Sequence, residues 1–204
     1  MRINPRLAGI ELVGGHPALD FVNTVHNWNA DPPPDYFENF DDVIDWHGLR
    51  GLLGDAEVER FRAAPGEQKQ QAFRDALELR AGLHRIFAAL AQGARPPAPA
   101  LEHLGQVLEH TTRWRRLVAD GEGRAVRFRW DFGEAPPGAL LGPVAWQAVD
   151  LLENGPLERV KECPGERCAW LFLDSSKNRS RTWCSMKACG NMAKVRRFRQ
   201  RAGA

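Results

Sequence analysis

No cysteine occurs in the first 162 residues of this 204-residue chain, so most of it can be neither stapled by disulfides nor built around thiolate-bound metal. No apolar stretch approaches the roughly 20 residues of a membrane span. The opening MRINPRLAGIELVGG interrupts its apolar residues with charges and glycines, which argues against a secretory signal and leads us to expect a cytoplasmic protein. Catalytic signatures are missing too. His26, His47, His84, His103 and His110 are scattered, without a spacing such as HExxH. Asp41, Asp42 and Asp45 read as charges at a helix start rather than as an acid pair. Gly14-Gly15 precedes no phosphate-loop lysine, and Gly121-Glu122-Gly123 suits a turn better than a dinucleotide fingerprint. With no nucleophile and base at readable spacing, we do not expect an enzyme.

What the first three-quarters does contain is helical period. A composition of 43% hydrophobic residues suffices for a real core. Leu19, Phe21, Val22 and Val25 suggest a helix over 17–27, after an IELVGG segment that is either strand or loop. The prolines of DPPPDYFENF forbid a helix interior, and Asp41 is then placed to cap a helix carrying Val43, Ile44, Trp46, Leu49, Leu52 and Leu53. A short helix near 55–63 is expected next, then a long one from about Gly66 to Gln92 with Phe73, Ala76, Leu77, Leu83, Ile86, Phe87 and Leu90 along one side. Leu101, Leu104, Val107 and Leu108 restore the period over 100–111. RRLVADGEGRAVRFRWDF alternates around turn chemistry at Asp120 to Gly123 and predicts a β-hairpin. A last helix over 139–153 stops at Gly155-Pro156.

All four cysteines lie beyond this body: Cys163 and Cys168 with four residues between them, then fifteen residues, then Cys184 and Cys189, again with four residues between them. Two close pairs separated by a hairpin-sized insert suit a tetrahedral cage of thiolates around one structural Zn2+. The alternatives are disulfides, which imply a secreted protein, and ordinary free thiols. Because all four positions would be filled by protein, such a zinc leaves no open place for substrate. Ala169 to Leu173 reads as a strand, Asp174 to Asn178 as a turn, and Arg181-Thr182-Trp183 as the returning strand that delivers Cys184. The final fourteen residues read as a helix with Met192, Val195 and Phe198 on one face. The expected architecture is α+β: a mostly α-helical N-terminal domain with one β-hairpin over 1–155, and a small C-terminal treble-clef-like zinc finger over 156–204.

Charge divides along the same line. Residues 161 to 204 hold eleven Lys and Arg against three acids, a net +8, while the remainder of the chain is −6. A zinc ion with four thiolates carries −2, so the tail stays strongly basic when loaded, about +6. Such a block attracts a polyanion, or it docks on an acidic protein surface, its own body included.

The run CPGERCAWLFLDSSKNRSRTWCSMKACGNMAKVRRFRQR strongly resembles the CGNR zinc finger, and the upstream HPALDFVNTV resembles the opening motif of the ABATE domain that accompanies it. The resemblance implies a bacterial stress-induced transcription regulator, also described as zinc-ribbon-like and RNA-binding. Carried over by position, the zinc ligands fall on Cys163, Cys168, Cys184 and Cys189. Trp170, Asp174, Asn178, Arg181, Trp183, Ser185, Gly190 and Asn191 match as well. The chain departs from the motif at Met192, where the name-giving residue is arginine. A thioether packs softly and cannot make the planar paired hydrogen bonds of a guanidinium.

The expected function is therefore a zinc-stabilised nucleic-acid-binding regulator, with DNA slightly favoured over RNA. Lys177, Arg179, Arg181, Lys194, Arg196, Arg197, Arg199 and Arg201 are the candidate phosphate contacts. Trp170, Phe172, Trp183 and Phe198 are candidates either for stacking on unpaired bases or for packing a small core. Two rival readings make the finger a docking element for an acidic partner, or the helical domain a catalytic unit or a sensor for a small-molecule effector. A redox switch through thiol oxidation is a further alternative.

Overall fold

The computed structural model describes residues 5–119, 121, 123 and 125–202; Asp120 and Glu122 of the anticipated turn lie outside them. A single helical turn, α1 (Pro5–Ala8), precedes the loop that the IELVGG segment forms. α2 (Pro17–Val22) starts where His16 Nδ1 accepts the amide of Ala18 and Pro17 presets the first helical turn. It is shorter than the periodicity suggests. Asn23 leaves the helix because its side-chain amide is committed to a strand 148 residues away, and Thr24 Oγ bonds back to the Phe21 carbonyl at 2.7 Å.

α3 (Phe40–Leu49) is capped by Asn39, not by Asp41. The Asn39 side chain accepts the Asp41 amide at 2.8 Å, and the Asp42 carboxylate accepts the amides of Glu38 and Asn39 at 2.7 and 3.3 Å. Moving the cap two residues upstream brings Phe40 into the helix and the core, and leaves Leu52 and Leu53 beyond the helix end. α4 (Asp55–Arg62) and the 26-residue α5 (Gly66–Ala91) follow. At 1.5 Å per residue α5 is about 39 Å long and forms the spine of the body. Its buried side is Ala72, Ala76, Leu79, Leu83, Ile86 and Phe87, with Leu77 only half-buried. Arg80 is buried on the same helix, ion-paired with Asp35, bonded to Thr24 Oγ at 2.8 Å and stacked over Phe37 at 5.0 Å. This one side chain fastens the proline-rich segment to the spine.

α6 (Ala98–Thr112) leads into an antiparallel hairpin of β1 (Arg115–Ala119) and β2 (Val126–Trp130), in the register Arg115 to Trp130 and Leu117 to Phe128. A 3-10 turn over Pro137–Leu140 feeds α7 (Leu141–Asn154), whose Leu141, Val144, Ala145, Ala148 and Leu151 close the helical core. Among the described residues no helix is long and apolar enough to cross a membrane.

The second hairpin differs from expectation. β4 (Leu171–Leu173) pairs antiparallel with β3 (Val160–Glu162), and residues 181–183 form no strand. The register Val160 to Leu173, Lys161 to Phe172 and Glu162 to Leu171 sorts side chains by period two. Val160, Leu171 and Leu173 face the helical core, whereas Phe172, with Trp170, packs on the cysteines. One short sheet thus serves both cores. After it come a loop, a π-turn over Met186–Gly190, and α8 (Asn191–Ala202).

Candidate metal centre and basic helix

The Cys163-to-Cys168 knuckle sits at the tip of the β3–β4 hairpin, closed by the Cys163 amide on the Trp170 carbonyl at 2.8 Å and the Cys168 amide on the Gly165 carbonyl at 3.1 Å. Gly165 has a steric reason to be glycine. A Cβ there would lie 3.1 Å from Cys168 Cβ and 3.2 Å from Cys189 Sγ, inside the space the thiols need. The second pair arrives differently: Cys184 ends the loop, and Cys189 lies in the π-turn that opens α8. Ser185 Oγ accepts the Ala188 amide at 3.4 Å, and Asn191 Nδ2 donates to the Lys187 carbonyl at 3.2 Å, fixing that turn. At Gly190 a Cβ would fall 2.7 Å from Met186 Sδ, so the exposed Met186 side chain would have to swing aside.

All four sulfurs are buried and lie within 4.8 Å of one another. Cys168 Sγ is 3.5 Å from Cys184 Sγ, which is 3.7 Å from Cys189 Sγ. A tetrahedron of sulfurs about 2.3 Å from zinc has edges of about 3.8 Å, whereas a disulfide needs about 2.05 Å. The spacing and donor chemistry fit one zinc ion and exclude bridges among these thiols. Crowding alone favours charge on one sulfur and disfavours it on the other three. Cys163, accepting from Cys168 and Cys184, is held far below the usual thiol range, while hydrogen bonding to Cys163 pushes Cys168 up to about 12. A dication reverses that penalty by compensating thiolates that would otherwise repel.

Beside the cage stands a carboxylate hub that the sequence signals only as a motif match. Asp174 is fully buried and accepts from Lys161 Nζ at 2.6 Å, the Ser176 amide at 2.9 Å and the Arg181 amide at 3.0 Å. Burial would raise its pKa, but the bonds from Lys161 and Ser176 hold the carboxyl far below the usual range. Lys161 also donates to the Arg179 and Arg181 carbonyls, so the hub shapes the loop carrying Cys184.

The finger is sutured to the body by the segment around α2. Asn23 Nδ2 donates to the Leu171 carbonyl at 2.8 Å and Asn23 Oδ1 accepts the Leu171 amide at 2.9 Å, imitating a neighbouring strand. Trp170 Nε1 donates to the Val25 carbonyl at 2.6 Å, and the Leu173 amide to the Gly14 carbonyl at 2.8 Å. The roles of Asn23 and Lys161 escape sequence reading, because long-range side-chain bonds leave no periodic trace.

The candidate phosphate contacts fall into three groups. Arg181 is turned inward: it stacks over Phe172 at 4.3 Å and donates to the carbonyls of Val13, Leu173, Trp183 and Cys184. Arg179 pairs with Glu158 at 3.1 Å and Arg196 with Glu166, both at exposed positions. Lys177, Lys194, Arg197, Arg199 and Arg201 are exposed and form no ion pair with another described residue. Trp170 and Phe172 are packing residues of the metal core, with half-buried Trp183 against it. Phe198 is 73% exposed, and with Met192 and Val195 it forms an apolar stripe open to solvent between the basic side chains of α8. Met192 and Arg196, one turn apart, border a small hollow of about 130 Å³ beside Cys168 and Cys189.

Four buried thiols on a hairpin tip and a helix start define a zinc-finger protein. Two family models match in succession: one described as "Putative stress-induced transcription regulator" (ABATE) over residues 15–155, and the CGNR zinc finger over residues 159–202. The chain belongs to the ABATE family and carries a CGNR finger, in the order its two motifs suggested. Neither is an enzyme family. No curated protein matches the chain.

Proposed function

We propose that this protein is a cytoplasmic transcription regulator that grips nucleic acid, DNA in preference to RNA, with α8 and the loop before it. The observation that carries the reading is the composition of α8: Lys194, Arg196, Arg197, Arg199 and Arg201 on one exposed helix that bears no acid and begins at the metal centre. Cationic side chains on a rigid helix displace the counterions condensed on a phosphate backbone. Arg196 is held only by an exposed pair with Glu166, which contributes little and yields readily to phosphate. Lys177 and Arg179 extend the same charge. Arg181 serves the reading indirectly, by holding the loop in shape through backbone carbonyls.

Five phosphate contacts give a slope of log affinity against log salt of about −4.5 on duplex DNA. Reversing Arg197 and Arg199 to Glu should remove most retention without loss of zinc. Retention of duplex and single-stranded RNA and DNA that is independent of salt, or unaffected by that reversal, would overturn the reading. The exposed Met192, Val195 and Phe198 stripe favours a second reading, in which α8 docks on an acidic, partly apolar protein surface. Under that reading the double reversal leaves polyanion retention intact.

A further inference from the structure

A second feature lies in the body, away from the finger. Between α7, the β1–β2 hairpin and the loop after α3 is a cavity of about 700 Å³. The guanidinium of Arg115 lies against the Phe128 ring at 4.0 Å and the Trp146 ring at 3.9 Å, with Trp130 at 5.7 Å. Aromatic contacts fix the guanidinium through its π-faces and leave its edge to make hydrogen bonds. One donor of that edge has no partner. Arg115 Nε is buried without a hydrogen-bond partner among the described residues, and so is Trp146 Nε1, on the same cavity. Other buried donors of the fold, Trp46 Nε1, Arg50 Nε and Arg80 Nε, also lack hydrogen-bond partners among the described residues; what sets this pair apart is that Arg115 and Trp146 line one cavity together.

We propose that this cavity is a binding site for a small organic monocarboxylate with a flat apolar body. Two coplanar carboxylate oxygens match the free edge of Arg115, and the neighbouring indole N–H adds a third donor. Leu52, Trp130 and Pro143 supply apolar wall for the remainder of the ligand. Asp150 and Glu153 line the cavity too; their charges oppose any anion, and oppose a dianion such as phosphate more than the monoanion that Arg115 can compensate. Burial holds the Arg115 guanidinium below its usual pKa, a penalty that an anionic partner offsets. These two acids sit near the end of α7, which ends at Asn154, shortly before β3 begins at Val160. An occupant therefore touches the helix that delivers the chain to the finger. The site does not depend on what α8 binds.

The test is a titration of benzoate into the zinc-loaded full chain, followed through the indole N–H resonances, with Trp146→Phe identifying its signal by disappearance. Benzamide keeps the shape and removes the charge, and inorganic phosphate keeps an anion and removes the ring. The expected result is a saturable shift of the Trp146 resonance with benzoate. Binding should be weaker by about tenfold or more for benzamide, for phosphate, and for benzoate with Arg115→Met. No saturable shift, an equal response to benzamide or phosphate, or undiminished binding by a folded Arg115→Met chain would overturn the proposal. If that variant does not fold, the comparison of benzoate with benzamide on the unaltered chain decides alone.

Discussion

The body from α2 to α7 encloses Phe21, Ile44, Trp46, Leu83, Phe87 and Leu140 almost completely, whereas beyond residue 160, among the described residues, only Leu171 and Phe172 of the large apolar side chains are so enclosed. The first region folds by burying apolar surface, which is worth roughly 1.5–3 kcal/mol per large side chain. The second has too little to bury and relies on a cage of sulfurs, the Asp174 hub, and bonds to its neighbour. Its outer helix even leaves Met192, Val195 and Phe198 in water. A region that can spend apolar side chains and positive charge on its surface must take its stability from elsewhere. Here that is metal, on the order of 10 to 16 kcal/mol for a structural zinc at neutral pH.

The sharpest way to break this contrast is to remove one sulfur. Cys184→Ser should lower zinc from one per chain to near zero by metal analysis and leave α8 unprotected in hydrogen exchange, while α5 stays protected. Asn23→Ala attacks the suture instead. It strands the Leu171 amide and carbonyl, two buried groups worth about 1–3 kcal/mol each, so thermal unfolding should move down by several degrees and zinc should become easier to chelate. An Asn23→Ala chain that melts unchanged would mean the two regions are held independently.

Acid should weaken the body through buried His47 and half-buried His84. Burial lowers His47 and His84 to about 4, and the ordinary value is 6.5. The unfolded chain therefore takes up protons between these values while the folded chain does not. Stability is fullest above pH 6.5 and declines as pH falls from 6.5 towards 4. The denaturation midpoint of α5, followed by hydrogen exchange, should drop across that window and drop less in His47→Gln. The smallest effect concerns the departure from the family motif. Met192→Arg adds one cation beside Arg196, and should steepen the salt slope on duplex DNA by about 0.9 without changing zinc content.

Legibility in the sequence follows the same divide. α4, α5, α6, α7 and the β1–β2 hairpin fall within a few residues of their expected places, because period and turn chemistry are local signals. The paired cysteines were equally legible, since their spacing is itself the constraint. What could not be read locally is where the chain bonds to distant backbone. Asn23 ends α2 early, Asn39 takes the cap assigned to Asp41, and Val160–Glu162 rather than residues 181–183 completes the finger hairpin. VKE, at three residues, is too short to alternate visibly. Arg181 looked like surface charge because nothing in its neighbours reveals four carbonyls converging from elsewhere.

Val160 and Leu171 belong to the helical core, so the finger hairpin is the outer wall of the body as much as the base of the metal site.

The most direct measurement is amide hydrogen exchange on the intact chain before and after stoichiometric removal of zinc. The expected result is one zinc per chain at the outset, then loss of protection across residues 174–202 with α5 and α7 still protected. Material that carries no zinc, or an α8 equally protected without it, would contradict a finger organised by metal.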